Sequence, residues 1–194
     1  MSAVLTTPWS KDAFEAKYQM QTDPWGFATS TYELARYENT LSVLQSNHYT
    51  SAFEPGCSVG VLTSQLAQRC SHVLAWDVAF TAVQQARKRC QRLAGVTIEC
   101  KDLSVEPPKG PFDLIVFSEI GYYFSAAKLV HLINQLQCLL NPGGEFIAVH
   151  WLGHSADHQL HGSDVHAILK AHLNLRSARS EKHPFYAIDT WIYD

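Results

Sequence analysis

The sequence carries little charge, few cysteines and no long apolar run, and each shortage excludes a class of function. Only 17% of the 194 residues are charged, 15 Lys and Arg against 18 Asp and Glu, and they are spread without long single-sign blocks. Such a chain lacks the electrostatic footprint of a nucleic-acid binder or a membrane-surface protein. The five cysteines (Cys57, Cys70, Cys90, Cys100, Cys138) are odd in number and form no C-x-x-C pair. They fall mostly in apolar periodic segments, the pattern of reduced thiols packed as small hydrophobes, which predicts a cytoplasmic protein. No apolar run approaches the roughly 18 residues needed to span a bilayer. The polar start "MSAVLTTPWSKDAFEAKY" lacks the basic and apolar regions of a signal peptide, so a soluble, unprocessed chain is expected. Internal repeats and low-complexity tracts are missing too, and 46% hydrophobic residues are enough to bury one sizeable core.

What is present is a change of rhythm near residue 50. Residues 1–49 read as a helical, aromatic cap or lid. In "STYELARYENTLSVLQ", Ser30 and Glu33 have the spacing of a capping box, which predicts a helix from about Thr31 with an apolar stripe of Leu34, Tyr37, Leu41 and Leu44. Residues 50–194 alternate short apolar runs with helical ones: "TSAFE", "GVLTSQLAQRC", "HVLAWDV", "FTAVQQARKRCQRL", "VTIECKDL", "FDLIVFSEI", "AKLVHLINQLQCLL" and "GEFIAVHW". Alternating strand and helix predicts a mostly parallel sheet with helices on both faces. Two helical stripes should pack on it: Val61, Leu62, Leu66 and Cys70, then Ala82, Val83, Ala86, Cys90 and Leu93. The last runs, "NLRSARSE" and "FYAIDTWIY", are joined by a turn too short for a parallel crossover and must pair as an antiparallel hairpin at one edge. The expected architecture is one α/β domain.

In such sheets ligands sit beyond the carboxyl ends of the strands, and the first strand-to-helix turn is the usual cradle. Here that turn is "FEPGCSVG". Gly56 supplies a sharp exit from the strand and Gly60 opens the next helix. Pro55 and Gly56 are equally the residues of a plain tight turn. Asp77 ends the next apolar run about 21 residues after Gly56, where a carboxylate takes ribose hydroxyls. Asp102 ends the following one, near where an adenine amine would lie, or else is an ordinary turn acid. The loop lacks the full G-x-G-x-x-G of a nicotinamide site, and Glu54 would repel a pyrophosphate. It suits instead the ammonium and sulfonium of S-adenosylmethionine, whose product is S-adenosylhomocysteine.

"EPGCSVG", the two downstream acids, "FDLIVFSEI" and the turn "NPGG" resemble the class I S-adenosylmethionine-dependent methyltransferases over about Ala52 to Val149. "DPWGFATSTYELARYENTL" and "SEIGYYF" are similar to the nodulation protein S type, enzymes that methylate an amino group of a deacetylated sugar. The resemblance implies a single-domain Rossmann-like fold with a seven-stranded, mostly parallel sheet and an antiparallel C-terminal hairpin strand. It also implies that Glu54, Gly56, Cys57, Ser58 and Gly60 shape the methionine side of the cofactor site, with Ser58 where the family loop has glycine. Asp77 would hold the ribose, Val78 and Leu103 would flank the adenine, Asp102 would bind its amine, and Ser118 would line the methyl-presenting wall. Arg36 and Tyr37 would reach the cofactor carboxylate, unless Arg36 is a solvated charge.

Methyl transfer to an amine requires the free base, so a proton acceptor helps. Glu119 and His150, at the ends of the fourth and fifth strands, are the candidates. Tyr122 and Tyr123 either wall the pocket or pack beneath a loop. Trp9, Tyr18, Trp25 and Phe27 form a lid or belong to the core. No "N/D-P-P-Y/F" motif for planar amines is present, which argues against a nucleic-acid acceptor. The histidines of "LGHSADHQLHG" lack ligand spacing on a sure helix, so no metal is expected; His150 and His161 would instead line the acceptor site as neutral imidazoles. A small-molecule acceptor, preferably an aminosugar, is expected; O-methylation with His150 as base, or a non-catalytic cofactor-binding subunit, are the alternatives.

Overall fold

The computed structural model describes residues 7–194, so the first six residues of the polar start lie outside it. Helices α1 (Lys11–Met20) and α2 (Thr31–Ser42) precede an alternating core. It runs β1 (Tyr49–Pro55), α3 (Val61–Leu66), β2 (Cys70–Asp77), α4 (Phe80–Cys90), β3 (Val96–Cys100), β4 (Phe112–Ser118), a 3-10 turn (Gly121–Tyr123), α5 (Ala126–Gln137), β5 (Leu140–Trp151), α6 (Gly162–His172), β6 (Arg176–Lys182) and β7 (Tyr186–Ile192). The seven strands form one sheet in the order β3-β2-β1-β4-β5-β7-β6. Only β7 is reversed, antiparallel to both β5 and β6.

Side-chain alternation explains why this sheet is covered twice. Leu114 and Val116 of β4 and Ile147 and Val149 of β5 face α3 and α4, while Ile115, Phe117, Phe146 and Ala148 face α5 and α6. A strand segment buried on both faces reads as a continuous apolar run, as Leu114 to Phe117 and Phe146 to Val149 do. The order reverses direction between β1 and β4, so the loops leaving those strands diverge and open a crevice at their carboxyl ends.

Local details depart from expectation. Cys70 is not on the α3 stripe: that helix stops at Leu66, and Cys70 opens β2 opposite Tyr49, because strand pairing outcompetes one more helical turn. Leu93 packs from the turn after α4 rather than from the helix. "NPGG" is the irregular start of β5, where Gly143 donates to the Tyr193 carbonyl at 2.6 Å and Tyr193 donates to the Gly144 carbonyl at 2.9 Å. Helix α2 does begin at Thr31, with Ser30 accepting from the Glu33 N–H, but the box is half made. The Glu33 carboxylate turns to Arg36 instead.

Candidate active site

A cavity of about 520 Å³ lies at the carboxyl ends of β1, β2 and β4, roofed by α1, by the segment before α2 and by the loop after β5. The β1 exit loop is pinned from behind. The Gly56 and Cys57 N–H groups donate to the Trp76 carbonyl at 2.7 and 2.9 Å. Gly56 has φ 76°, and a Cβ there would lie 2.2 Å from Ile120, so both conformation and space require glycine. Gly60, φ 77°, lets α3 approach Ala86 of α4 to within a Cβ's 2.9 Å, which shapes the loop without lining the cavity.

Asp77, at the end of β2, accepts from the Ser58 N–H and the Ala79 N–H, each at 2.9 Å. Burial raises its pKa to about 6 despite these bonds. Glu54, at the end of β1, is 4% exposed and faces the cavity. It accepts from the Thr63 hydroxyl at 2.6 Å. Among the described residues no Lys, Arg or His pairs with it, and burial pushes its pKa up to about 8. Ser58 is left-handed (φ 51°), the conformation for which glycine is the default, and its hydroxyl accepts from Tyr18 of α1 at 2.5 Å. Val78, Leu103 and Asp102 continue the wall, with Asp102 accepting from the Ser104 N–H and hydroxyl at 2.8 and 2.6 Å.

The β4 side differs. Glu119 is also left-handed, φ 60°, and both its oxygens are engaged. One accepts from the Arg36 guanidinium at 2.9 Å and the Trp151 N–H at 2.7 Å, the other from the Tyr122 hydroxyl at 2.7 Å. Ser118, Tyr37, Tyr122 and Tyr123 line the same wall.

Besides Gly60, three residues expected at the site, Arg36, His150 and His161, are not on the wall. Arg36 is neither a solvated charge nor a cavity group: it is 1% exposed, held between Glu33 and Glu119 and against the rings of Tyr32 and Tyr37. His150 is wholly buried on the α5/α6 face of the sheet, its Nε2 accepting from the Gly121 N–H at 3.0 Å, so it cannot reach an acceptor. His161 caps α6, while His154 and His158 reach the cavity, His158 stacked on Tyr122 at 3.7 Å.

The sequence reading missed Glu33 as a cavity residue. Its carboxyl lines the wall, bonds Arg36 and is pushed up to about 7, chiefly by burial. Its spacing of four from Tyr37, a residue already placed at the site, was the available signal, since such pairs share a helix face. Also missed were the ties that hold α1 over the cavity: Glu15 accepts from the Thr81 N–H and hydroxyl, and Lys17 pairs with Asp157 at 2.5 Å.

This strand order, with one reversed strand and a glycine-containing loop after β1 facing an acid at the end of β2, defines the class I methyltransferase fold. More narrowly, the model of the Nodulation protein S (NodS) family matches residues 9–174, and the chain belongs to that family. Nodulation protein S of Rhizobium tropici is 29% identical over 127 residues, covering 64% of this chain and 53% of that protein. The chain thus spans little more than half the length of the curated nodulation proteins it matches. The crystal structure of the N-methyltransferase NodS from Bradyrhizobium japonicum WM9 in complex with S-adenosylhomocysteine superposes with a TM-score of 0.82, at 21% identity, over 94% of this chain and 98% of that one. A Pseudomonas syringae protein whose structure is described as that of a putative methyltransferase is 34% identical over 84% of this chain and 99% of its own, with a TM-score of 0.73.

Proposed function

We propose that the protein is an S-adenosylmethionine-dependent methyltransferase that acts on an amino group of a small sugar-like acceptor. The observation that carries this is Glu54, a buried carboxylate aimed into a cavity with no cationic partner of its own among the described residues. A buried acid with no cation beside it holds its proton, and it ionises when a cation arrives to pair with it. An ammonium or sulfonium ligand supplies that pairing, and Asp77 and Asp102, further along the wall, suit a ribose and an adenine amine. S-adenosylmethionine, when bound, supplies a methyl group activated by its sulfonium. The chain's own work is to hold, align and dry the reactants, which can lower a barrier by on the order of 7 to 11 kcal/mol in the best cases. Trp25, Phe27 and Tyr18 close the cavity against water.

An amine must lose a proton before it attacks. Glu33 is our candidate acceptor of that proton, because its single bond to Arg36 leaves a carboxylate oxygen for the cavity and its pKa of about 7 suits the task. Glu119 has both oxygens taken by three donors, which leaves none for an incoming proton, and it serves as a fixed strut. His150, the natural base for a hydroxyl acceptor, is buried away from the cavity, which favours the amine over the hydroxyl. Calorimetric titration with S-adenosylmethionine tests the first half: no heat at high micromolar ligand sinks it. Methyl transfer to a panel of deacetylated aminosugars tests the second, and transfer to hydroxyl acceptors alone would refute the amine.

A further inference from the structure

Beneath the acceptor wall, the mechanism leaves unused a chain of buried polar groups. His150 Nε2 accepts from the Gly121 N–H at 3.0 Å, His150 Nδ1 faces His166 Nε2 of α6 at 3.3 Å, and His166 Nδ1 faces Asp189 of β7 at 2.5 Å. The other Asp189 oxygen meets Lys170 at 2.9 Å near the surface. His150, His166 and Asp189 are 0%, 4% and 2% exposed.

Both ends of this chain have fixed polarity. A backbone N–H only donates, so His150 Nε2 must be the bare nitrogen and its proton must sit on Nδ1. That proton requires a bare Nε2 on His166, whose own proton must then be on Nδ1, directed at the Asp189 carboxylate. A second proton on either ring would set N–H against N–H at one junction. The direction therefore runs one way, from His150 through His166 to Asp189.

We propose that Asp189, His166 and His150 form a one-way hydrogen-bond relay that locks both imidazoles as neutral, Nδ1-protonated rings and holds the Gly121–Tyr123 turn in place. All three are positioning residues. The held turn carries Tyr122, whose hydroxyl reaches Glu119 and whose carbonyl accepts from the Gln159 and Leu160 N–H groups, so the relay orders the β4 side of the cavity from below. Space is matched as well: a Cβ on residue 121 would come within 2.7 Å of His150 Nε2. Burial holds the His150 pKa well below the ordinary imidazole value, in keeping with a ring that stays neutral. The functional meaning rests on the reading of this wall as the acceptor side, but the relay is tested without any acceptor.

Nitrogen-15 NMR of the imidazoles at neutral pH should find both rings Nδ1-protonated; an Nε2-protonated or doubly protonated ring at either position overturns the relay. Two variants then separate direction from packing. His166→Gln keeps an acceptor toward His150 and a donor toward Asp189, so it should retain the His150 tautomer and the slow exchange of the Gly121 amide. His166→Leu keeps bulk and removes both, and should release the tautomer and speed Gly121 exchange by about tenfold or more. Equal behaviour of the two variants refutes the proposal; if His166→Leu does not fold, the wild-type spectrum and His166→Gln decide it alone.

Discussion

Two carboxylates end neighbouring strands of the same sheet and live under opposite rules. Glu54 closes β1 with one hydroxyl donor, no cation and a pKa raised to about 8. Glu119 closes β4 with a guanidinium, a phenol and a backbone N–H, every oxygen occupied. Both sit at the crevice where the strand order reverses, so position alone does not tell them apart. Partner count does. The under-partnered acid is the one with capacity for a ligand, and the saturated acid is the one that holds the wall.

The sharpest way to break this contrast is to remove the partner of the saturated side. Arg36→Met leaves Glu119 and Glu33 buried without their cation and should lower the stability of the ligand-free protein by about 3–5 kcal/mol, read by urea denaturation. A loss under about 1 kcal/mol, the level of a surface ion pair, would mean that the wall does not depend on the guanidinium. On the other side, Glu54→Gln should leave the fold intact and weaken S-adenosylmethionine by roughly 1.5–3 kcal/mol in calorimetry, the range for a charge-assisted contact. Unchanged affinity would remove Glu54 from the cofactor site.

The pH dependence sharpens the same point. The unfolded chain ionises Glu54 and Glu33 near pH 4.5, whereas the folded chain resists until about 8 and 7. Folded pKa values above the unfolded ones mean that the stability these two groups contribute is full below pH 4.5 and declines as pH rises through that window, by at most ~1.4 kcal/mol per pH unit for each group. Saturating S-adenosylmethionine should flatten the Glu54 share, because a cation beside it lowers its folded pKa. Thermal unfolding at pH 5, 6.5 and 8, with and without ligand, measures both. His150, held neutral, adds stability as pH rises to about 6.5, so the window from 6.5 to 8 decides: a stability that rises there without ligand would contradict the raised values.

The β1 side was legible in the sequence as a unit, whereas on the β4 side Ser118, Glu119 and Tyr122 could be placed at the cavity but the groups that hold Glu119 could not, for a reason of chain distance. Glu54, Gly56 and Asp77 lie within one β-α-β unit, and parallel pairing sets Glu54 beside Ala75 and Pro55 beside Trp76, so spacing alone brings the loop against Asp77. The partners of Glu119 come from α2, from the 3-10 turn and from the end of β5, and no local pattern marks residues 36, 122 and 151 as neighbours. His150 was misjudged because a strand end reads as a mouth. The alternation along β5 puts it on the same face as Phe146 and Ala148, and α6 then covers it. The strands and the terminal hairpin were foreseeable from apolar rhythm; the helix ends at Leu66 and Cys90 were set by the strands and turns that follow them.

Ser58 gives the smallest and most delicate test. It stands in a left-handed conformation that costs a non-glycine residue about 1–2 kcal/mol. Ser58→Gly would recover that cost. Against it stand the greater freedom of glycine in the unfolded chain, about 0.4–1 kcal/mol, and the Tyr18 hydroxyl, left buried without its acceptor at about 1–3 kcal/mol. The three ranges combine to anything from a gain of about 0.6 to a loss of about 3 kcal/mol, centred on a loss of about 1, while Tyr18→Phe with Ser58→Gly, which removes both ends of the bond, should be the more stable of the two variants. If Ser58→Gly alone stabilises the protein as much as the double variant does, the Tyr18 bond carries no weight in holding α1 over the loop. Asp77 is met through the residue 58 backbone N–H, which glycine keeps, so cofactor affinity should stay the same in Ser58→Gly.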